Sequence, residues 1–244
     1  MILVTGATGF IGREVVRRLL MARRPVIALA RGRHDATAAE RVVAARALLE
    51  GLVGGCLRRW AHLSTAYVCG RRSGTILERD GDVGQAFNNV YERVKLESER
   101  VLRAAGVRFG VDVRVFRPSI VVGPAPPTAG GNPSNLFFGF IRLVAALAQM
   151  PDGADVRLRI EAAPRARFNI VPVEYVASAV CALAERPGGA GETFHLVVRD
   201  APTQAAMLRT ITERLGVRGL ALVDGRTEPL ADPSALLDTI RGRS

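Results

Sequence analysis

Three glycines at positions 6, 9 and 12, set between an apolar run and an amphipathic run, constrain this chain more than any other feature. Ile2 to Val4 reads as a short buried strand. After the glycine turn, Ile11, Val15, Val16, Leu19 and Leu20 recur at helical intervals, and residues 25–30 form a second apolar run. A strand, a glycine turn, a helix and a strand within thirty residues make one βαβ unit. Parallel strands need such a crossover, so the expected class is α/β with a doubly wound, mainly parallel sheet. In this context the first glycine permits a tight turn, the second lets backbone N–H groups approach a pyrophosphate, and the third lets the helix pack closely. The residues after the second strand choose the nucleotide. A carboxylate there would bind a ribose 2′-hydroxyl, whereas this chain has Arg31 and Arg33, whose guanidinium forks suit a 2′-phosphate. NADP(H) is therefore expected, ahead of NAD(H).

Further strands are expected at 60–68, 113–116, 156–162 and 193–198. Helices are expected at 36–52, 88–105, 136–149, 173–186 and 203–215. The Pro- and Gly-rich stretch 124–133 reads as a loop leading into a smaller lobe. The organisation anticipated is a nucleotide-binding domain over 1–124, rejoined by about 164–190, with a small and incomplete substrate lobe from 125–163 and 191–244. At 244 residues and 48% hydrophobic content the chain is long and apolar enough for one such domain plus a lobe. Its uncharged runs are too short to cross a bilayer, and its N-terminus lacks a basic leader, so a cytoplasmic setting is expected. The three cysteines, Cys56, Cys69 and Cys181, have no metal-ligand spacing and read as reduced core thiols. No metal is expected. The net charge of +11 is spread along the chain rather than gathered in a stripe, which argues against nucleic acid as a partner.

Of the 34 basic side chains 33 are arginine, and the one lysine is Lys95. It lies four residues after Tyr91 on an expected helix, so both side chains leave from one face. Only two of the 34 basic positions, 71 and 95, lie four after a tyrosine, so chance would put the lysine at such a place about one time in seventeen. An ammonium beside a phenol favours the phenolate and is expected to lower its pKa, and it can hydrogen-bond a cofactor ribose. Thr65, with Ser64 beside it, ends the preceding strand, where open α/β sheets present their chemistry; its hydroxyl could hold a substrate carbonyl oxygen.

These residues resemble a known family. Thr5 to Gly12, the strand end Ser64-Thr65-Ala66-Tyr67-Val68-Cys69-Gly70, Tyr91-x-x-x-Lys95 and Arg117-Pro118-Ser119-Ile120-Val121-Val122-Gly123 resemble an extended short-chain dehydrogenase/reductase. The stretch 64–123 is most similar to the branch of thioester reductase domains and male-sterility-type fatty acyl-CoA reductases. The resemblance implies a Rossmann-like fold, a carbonyl or acyl-thioester substrate and Thr65, Tyr91 and Lys95 as the catalytic group. It places Thr5, Gly6, Thr8, Gly9, Phe10, Ile11 and Gly12 around the pyrophosphate and Arg31 and Arg33 at the 2′-phosphate. Ser64, Lys95, Pro118, Ser119 and Ile120 fall at the nicotinamide end. It also makes the Tyr91 helix a candidate homodimer face. Two other readings fit the same motifs: a catalytically impaired NADP-binding relative, and a sugar-nucleotide epimerase or dehydratase.

The chain departs from the family between Arg33 and Trp60. There 26 residues, 34–59, replace two central strands and their helices, and Arg41 stands near where the family has an asparagine. With those strands absent, hydrogen-bond bookkeeping predicts that residues 60–63 pair directly with residues 2–4, because a row of orphaned buried amides would cost more than a domain's net stability. The second strand would then be an edge.

Overall fold

A computed structural model describes residues 2–29, 38–53, 57–123, 136–149, 158–188 and 190–224. Arg31 and Arg33 lie outside them. The chain divides into two compact units, Met1–Pro124 with Ile170–Val198, and Ala125–Asn169 with Arg199–Ser244.

The first unit opens with β1 (Ile2–Thr5), α1 (Phe10–Met21) and β2 (Val26–Leu29), and β1 pairs parallel with β2, Leu3 opposite Ile27. Then come α2 (Ala38–Val53), β3 (Arg59–Leu63), a 3-10 turn over Ala66–Cys69, α3 (Val90–Phe109), β4 (Asp112–Pro118) and β5 (Ile120–Val122). The strand expected to run to Val68 thus stops at Leu63, because the Thr65 hydroxyl accepts the Tyr67 N–H at 3.3 Å and caps the turn. α4 (Leu136–Ala148) and β6 (Leu158–Glu161) belong to the second unit. β7 (Ile170–Pro172), α5 (Val173–Glu185) and β8 (Thr193–Leu196) return to the first. β4 is central to a parallel β3-β4-β8 sheet, and β5 pairs parallel with β7. β8 was expected in the lobe; its pairing with β4 puts it in the first unit. In the second unit α6 (Gln204–Leu215) lies against α4, and β9 (Leu220–Val223) pairs with β6.

β4 alternates as a strand covered on both faces must. Val113 and Val115 pack with Leu102 and Ala105 of α3, joined by Trp60 and Phe109. Phe116 turns to the other face, against Val171, Val176 and Leu196, and its ring stacks on Phe194 at 5.3 Å. Arg114 is fully buried. Its guanidinium donates to Asp112 at 3.0 Å, to the Leu183 carbonyl at 2.5 Å and to the Gly188 carbonyl, while Arg59 takes the Ala184 carbonyl at 2.7 Å. Two arginines of the sheet thereby satisfy carbonyls in the last turn of α5 that the helix leaves open. An arginine-rich composition reads as a solvated surface, yet some of this charge is structural.

The expected pairing of β3 with β1 is not formed. Among the described residues β3 bonds only to β4 and β1 only to β2, so the two sheets are separate. The cost that argued for pairing assumed burial. Leu3 is 36% exposed and Ile27 47%, and Thr5 and Ala61 are open, so these strands are not sealed into a core. What joins the two sheets is α1 lying against α5, with Ile11 packed into the Phe116 cluster beside Leu63.

Candidate functional site

The glycine turn is built as its spacing predicts. Gly6 has φ of +68°, a left-handed conformation, and accepts the Gly9 N–H at 2.9 Å. A Cβ on Gly12 would lie 2.1 Å from the Gly6 carbonyl oxygen, so the third glycine lets the helix start against the turn itself. Gly9 caps α1 with no side-chain partner, and no acidic residue stands in the first helical turn. Those N–H groups at the uncapped helix start suit a phosphate. Thr5 and Thr8 are exposed beside them. Phe10 and Ile11 serve packing: Phe10 lies near Gly123 at the end of β5, and Ile11 sits in the core.

The second group gathers at the C-terminal end of β3. Asn89 caps α3, its side chain accepting the Glu92 N–H at 3.0 Å, and the Glu92 carboxylate accepts the Asn88 N–H at 2.9 Å. That reciprocal cap fixes the first helical turn, which carries Tyr91. The Tyr91 phenol lies beside Thr65. Lys95 donates to the Leu63 carbonyl at 2.8 Å and lies 5.8 Å from the centre of the Tyr91 ring. Thr65 is buried and donates to the Pro118 carbonyl at 3.4 Å, which ties β3 to the end of β4. Ser64 and Ser119 are buried close by in sequence, and Ile120 begins β5 opposite Ile170.

The electrostatics differ from expectation. Burial pushes the Tyr91 phenol above its ordinary value, and the Thr65 side chain draws it only part of the way back. Burial, with Glu92 adding, also raises the Cys69 thiol, so it stays protonated and is no nucleophile. Among the described residues no three His, Cys, Asp or Glu side chains gather to hold a metal, and no helix is long and apolar enough to cross a membrane.

Sequence reasoning missed Glu99 and Arg117 as members of this cluster. The available signal was spacing, since Glu99 continues the four-residue interval from Tyr91 to Lys95.

Comparison with known proteins bears on the family and the fold. The family described as male sterility protein matches residues 52–180, and the NAD dependent epimerase/dehydratase family matches residues 2–53. No curated protein matches the chain. Among solved structures, a double mutant of dTDP-glucose 4,6-dehydratase from Streptomyces venezuelae with NAD bound is 20% identical, with a TM-score of 0.66 over 92% of this chain and 84% of that one. UDP-glucuronic acid 4-epimerase from Bacillus cereus in complex with NAD is 16% identical, with a TM-score of 0.70 over 91% and 87%. The terminal R domain of the myxalamid PKS-NRPS biosynthetic pathway is 20% identical, with a TM-score of 0.63 over 91% and 71%. At these identities the structures speak for the Rossmann-like fold, and the family match speaks for the lineage. The chain belongs to the male sterility protein family, within the NAD(P)-dependent oxidoreductases of the extended short-chain dehydrogenase/reductase type.

Proposed function

We propose that the chain is an NADPH-dependent reductase of a carbonyl or acyl-thioester substrate, with Thr65, Tyr91 and Lys95 as its catalytic residues. The observation that carries this reading is the placing of Tyr91 beside Thr65 at the end of β3, with Lys95, one helical turn after Tyr91, donating to the Leu63 carbonyl. The cofactor, when bound, supplies a hydride for the carbonyl carbon. Thr65 donates a hydrogen bond to the carbonyl oxygen and holds it against Tyr91. Tyr91 gives its proton to that oxygen as charge develops there. A phenol held above its ordinary value stays protonated near neutrality, as a proton donor must. The Lys95 ammonium limits the cost of the phenolate left behind and can hold a ribose hydroxyl. Gly6, Gly9 and Gly12 shape the pyrophosphate cradle, Pro118, Ser119 and Ile120 border the nicotinamide side, and Arg31 with Arg33 favours the 2′-phosphate.

Melting temperature and Trp60 fluorescence test the first half of this reading. NADPH should raise the one and quench the other at lower concentration than NADH. No response to either cofactor at millimolar concentration would remove the proposal. A panel of aldehydes and acyl thioesters tests the second half, since turnover should disappear in Tyr91→Phe. The separation of β1 from β3 favours one other reading, a relative that binds the cofactor and turns over nothing. Binding without turnover across that panel would select it.

A further inference from the structure

Three residues of α3, each four after the last, clasp three consecutive residues at the end of β3. Tyr91 stands beside Thr65, Lys95 donates to the Leu63 carbonyl at 2.8 Å, and the Glu99 carboxylate accepts the Ser64 hydroxyl at 2.5 Å. Glu99 is in turn gripped by Arg117 of β4, Nε to Oε1 at 3.0 Å and Nη2 to Oε2 at 2.7 Å. Both residues are 2% exposed. The remaining Arg117 nitrogen donates to the Asp80 carbonyl at 2.9 Å and the Glu78 carbonyl at 3.4 Å, so the loop leading to α3 is drawn into the same knot.

A buried ion pair is a poor source of stability, because desolvating both charges consumes what their attraction returns. Geometry is what such a pair supplies. The fork fixes the carboxylate in two directions at once, and the carboxylate oxygen facing β3 takes the hydroxyl next to Thr65. Resting on the reading that Thr65 and Tyr91 carry the chemistry, we propose that Glu99 and Arg117 are positioning residues that act through Ser64 to set the end of β3 against α3, so that Thr65 and Tyr91 stand side by side.

The test replaces the pair as a whole, since breaking one partner leaves a buried charge and endangers the fold. The double variant Glu99→Leu with Arg117→Met removes both charges at similar volume and should stay folded. Two readouts follow. Titration of the Tyr91 phenol, by ultraviolet difference absorbance against the same protein carrying Tyr91→Phe, should move up by roughly half a unit or more as Thr65 draws away from the phenol. Turnover should fall about tenfold in kcat with KM unchanged, the signature of lost alignment in the transition state alone. Ser64→Ala is the second variant, which keeps the ion pair and cuts only its link to β3. It should move the Tyr91 titration in the same direction, and it decides the matter if the double variant does not fold. An unmoved titration in a folded double variant, or in Ser64→Ala, overturns the proposal. The titration needs no substrate, so absent turnover in the parent protein counts against the reductase reading and leaves this one to be decided by the phenol.

Discussion

The two sheets of the first unit are both short and parallel, yet they are built to opposite standards of burial. In β3-β4-β8 the central strand is sealed, Val115 and Phe116 having no exposed surface. In β1-β2 the paired residues Leu3 and Ile27 are 36% and 47% exposed. The difference lies in neighbours rather than in residue type, because all four side chains are apolar. β4 has a strand on each side and a helix on each face. β1 has one strand, and α2, which follows β2, packs against α3 instead of covering the pair. The apolar character of a strand therefore records where it belongs in a complete sheet, and its exposure records which neighbours are there.

That contrast predicts unequal mutational costs. Phe116→Ala should destabilise by about 3–5 kcal/mol, as a large buried ring leaves a cavity, while Ile27→Ala should cost about 1 kcal/mol. Chemical denaturation measures both, and equal costs would mean that β1-β2 is covered in solution. The next effect is a pH dependence from the well-packed half. Burial, with Lys95 and Arg103 adding, pushes His62 of β3 down from 6.5 to about 3, and its Nε2 has no partner. The neutral form is favoured in the fold. Its contribution is complete above about 6.5 and is lost as pH falls toward 3, on the order of a few kcal/mol in all. His62→Leu should flatten that part of the stability profile, whereas a profile unchanged by the substitution would show that His62 is solvated.

In the other half, Gly12→Ala would set a Cβ against the Gly6 carbonyl and should cost about 1–3 kcal/mol. Hydrogen exchange would show this as faster exchange in β1 and β2 with β4 unaffected, and loss of protection throughout would mean that the two sheets unfold as one. The smallest effect concerns the ion pair between the halves. Arg24 and Glu185 meet at 2.8 Å but are 48% and 41% exposed, so Glu185→Gln should change stability by less than about 0.5 kcal/mol. A larger loss would shift the credit for joining the sheets from the packing of α1 on α5 to this pair.

Much of this was readable from local pattern. The glycine turn, α1, α3 and α6 follow from periodicity, and Asn89, Thr203 and Gly110 stand where caps belong. β5 and β7, three residues each, were too short to show a period, and β9 went unread although β8, equally long, was legible. The order of strands was misread because a cost of burial was charged to strands that are not sealed into a core. Tyr91 and Lys95 could be found because helical spacing is local and the lysine has no rival. Glu99 carries only its four-residue spacing after Lys95 as a signal and Arg117 carries none, since their pairing joins residues eighteen apart across a helix and a strand, and among 33 arginines a buried one looks like any other.

The solitary lysine has a practical consequence. Apart from the N-terminus it is the one primary amine in the chain, and its ammonium points at the carbonyl beside the candidate catalytic residues. Reductive methylation with a carbon-13 label would place a single ε-dimethyl signal in the spectrum, well apart from that of the α-amine. Every change at the end of β3 would then be read from one resonance, with no assignment problem to solve.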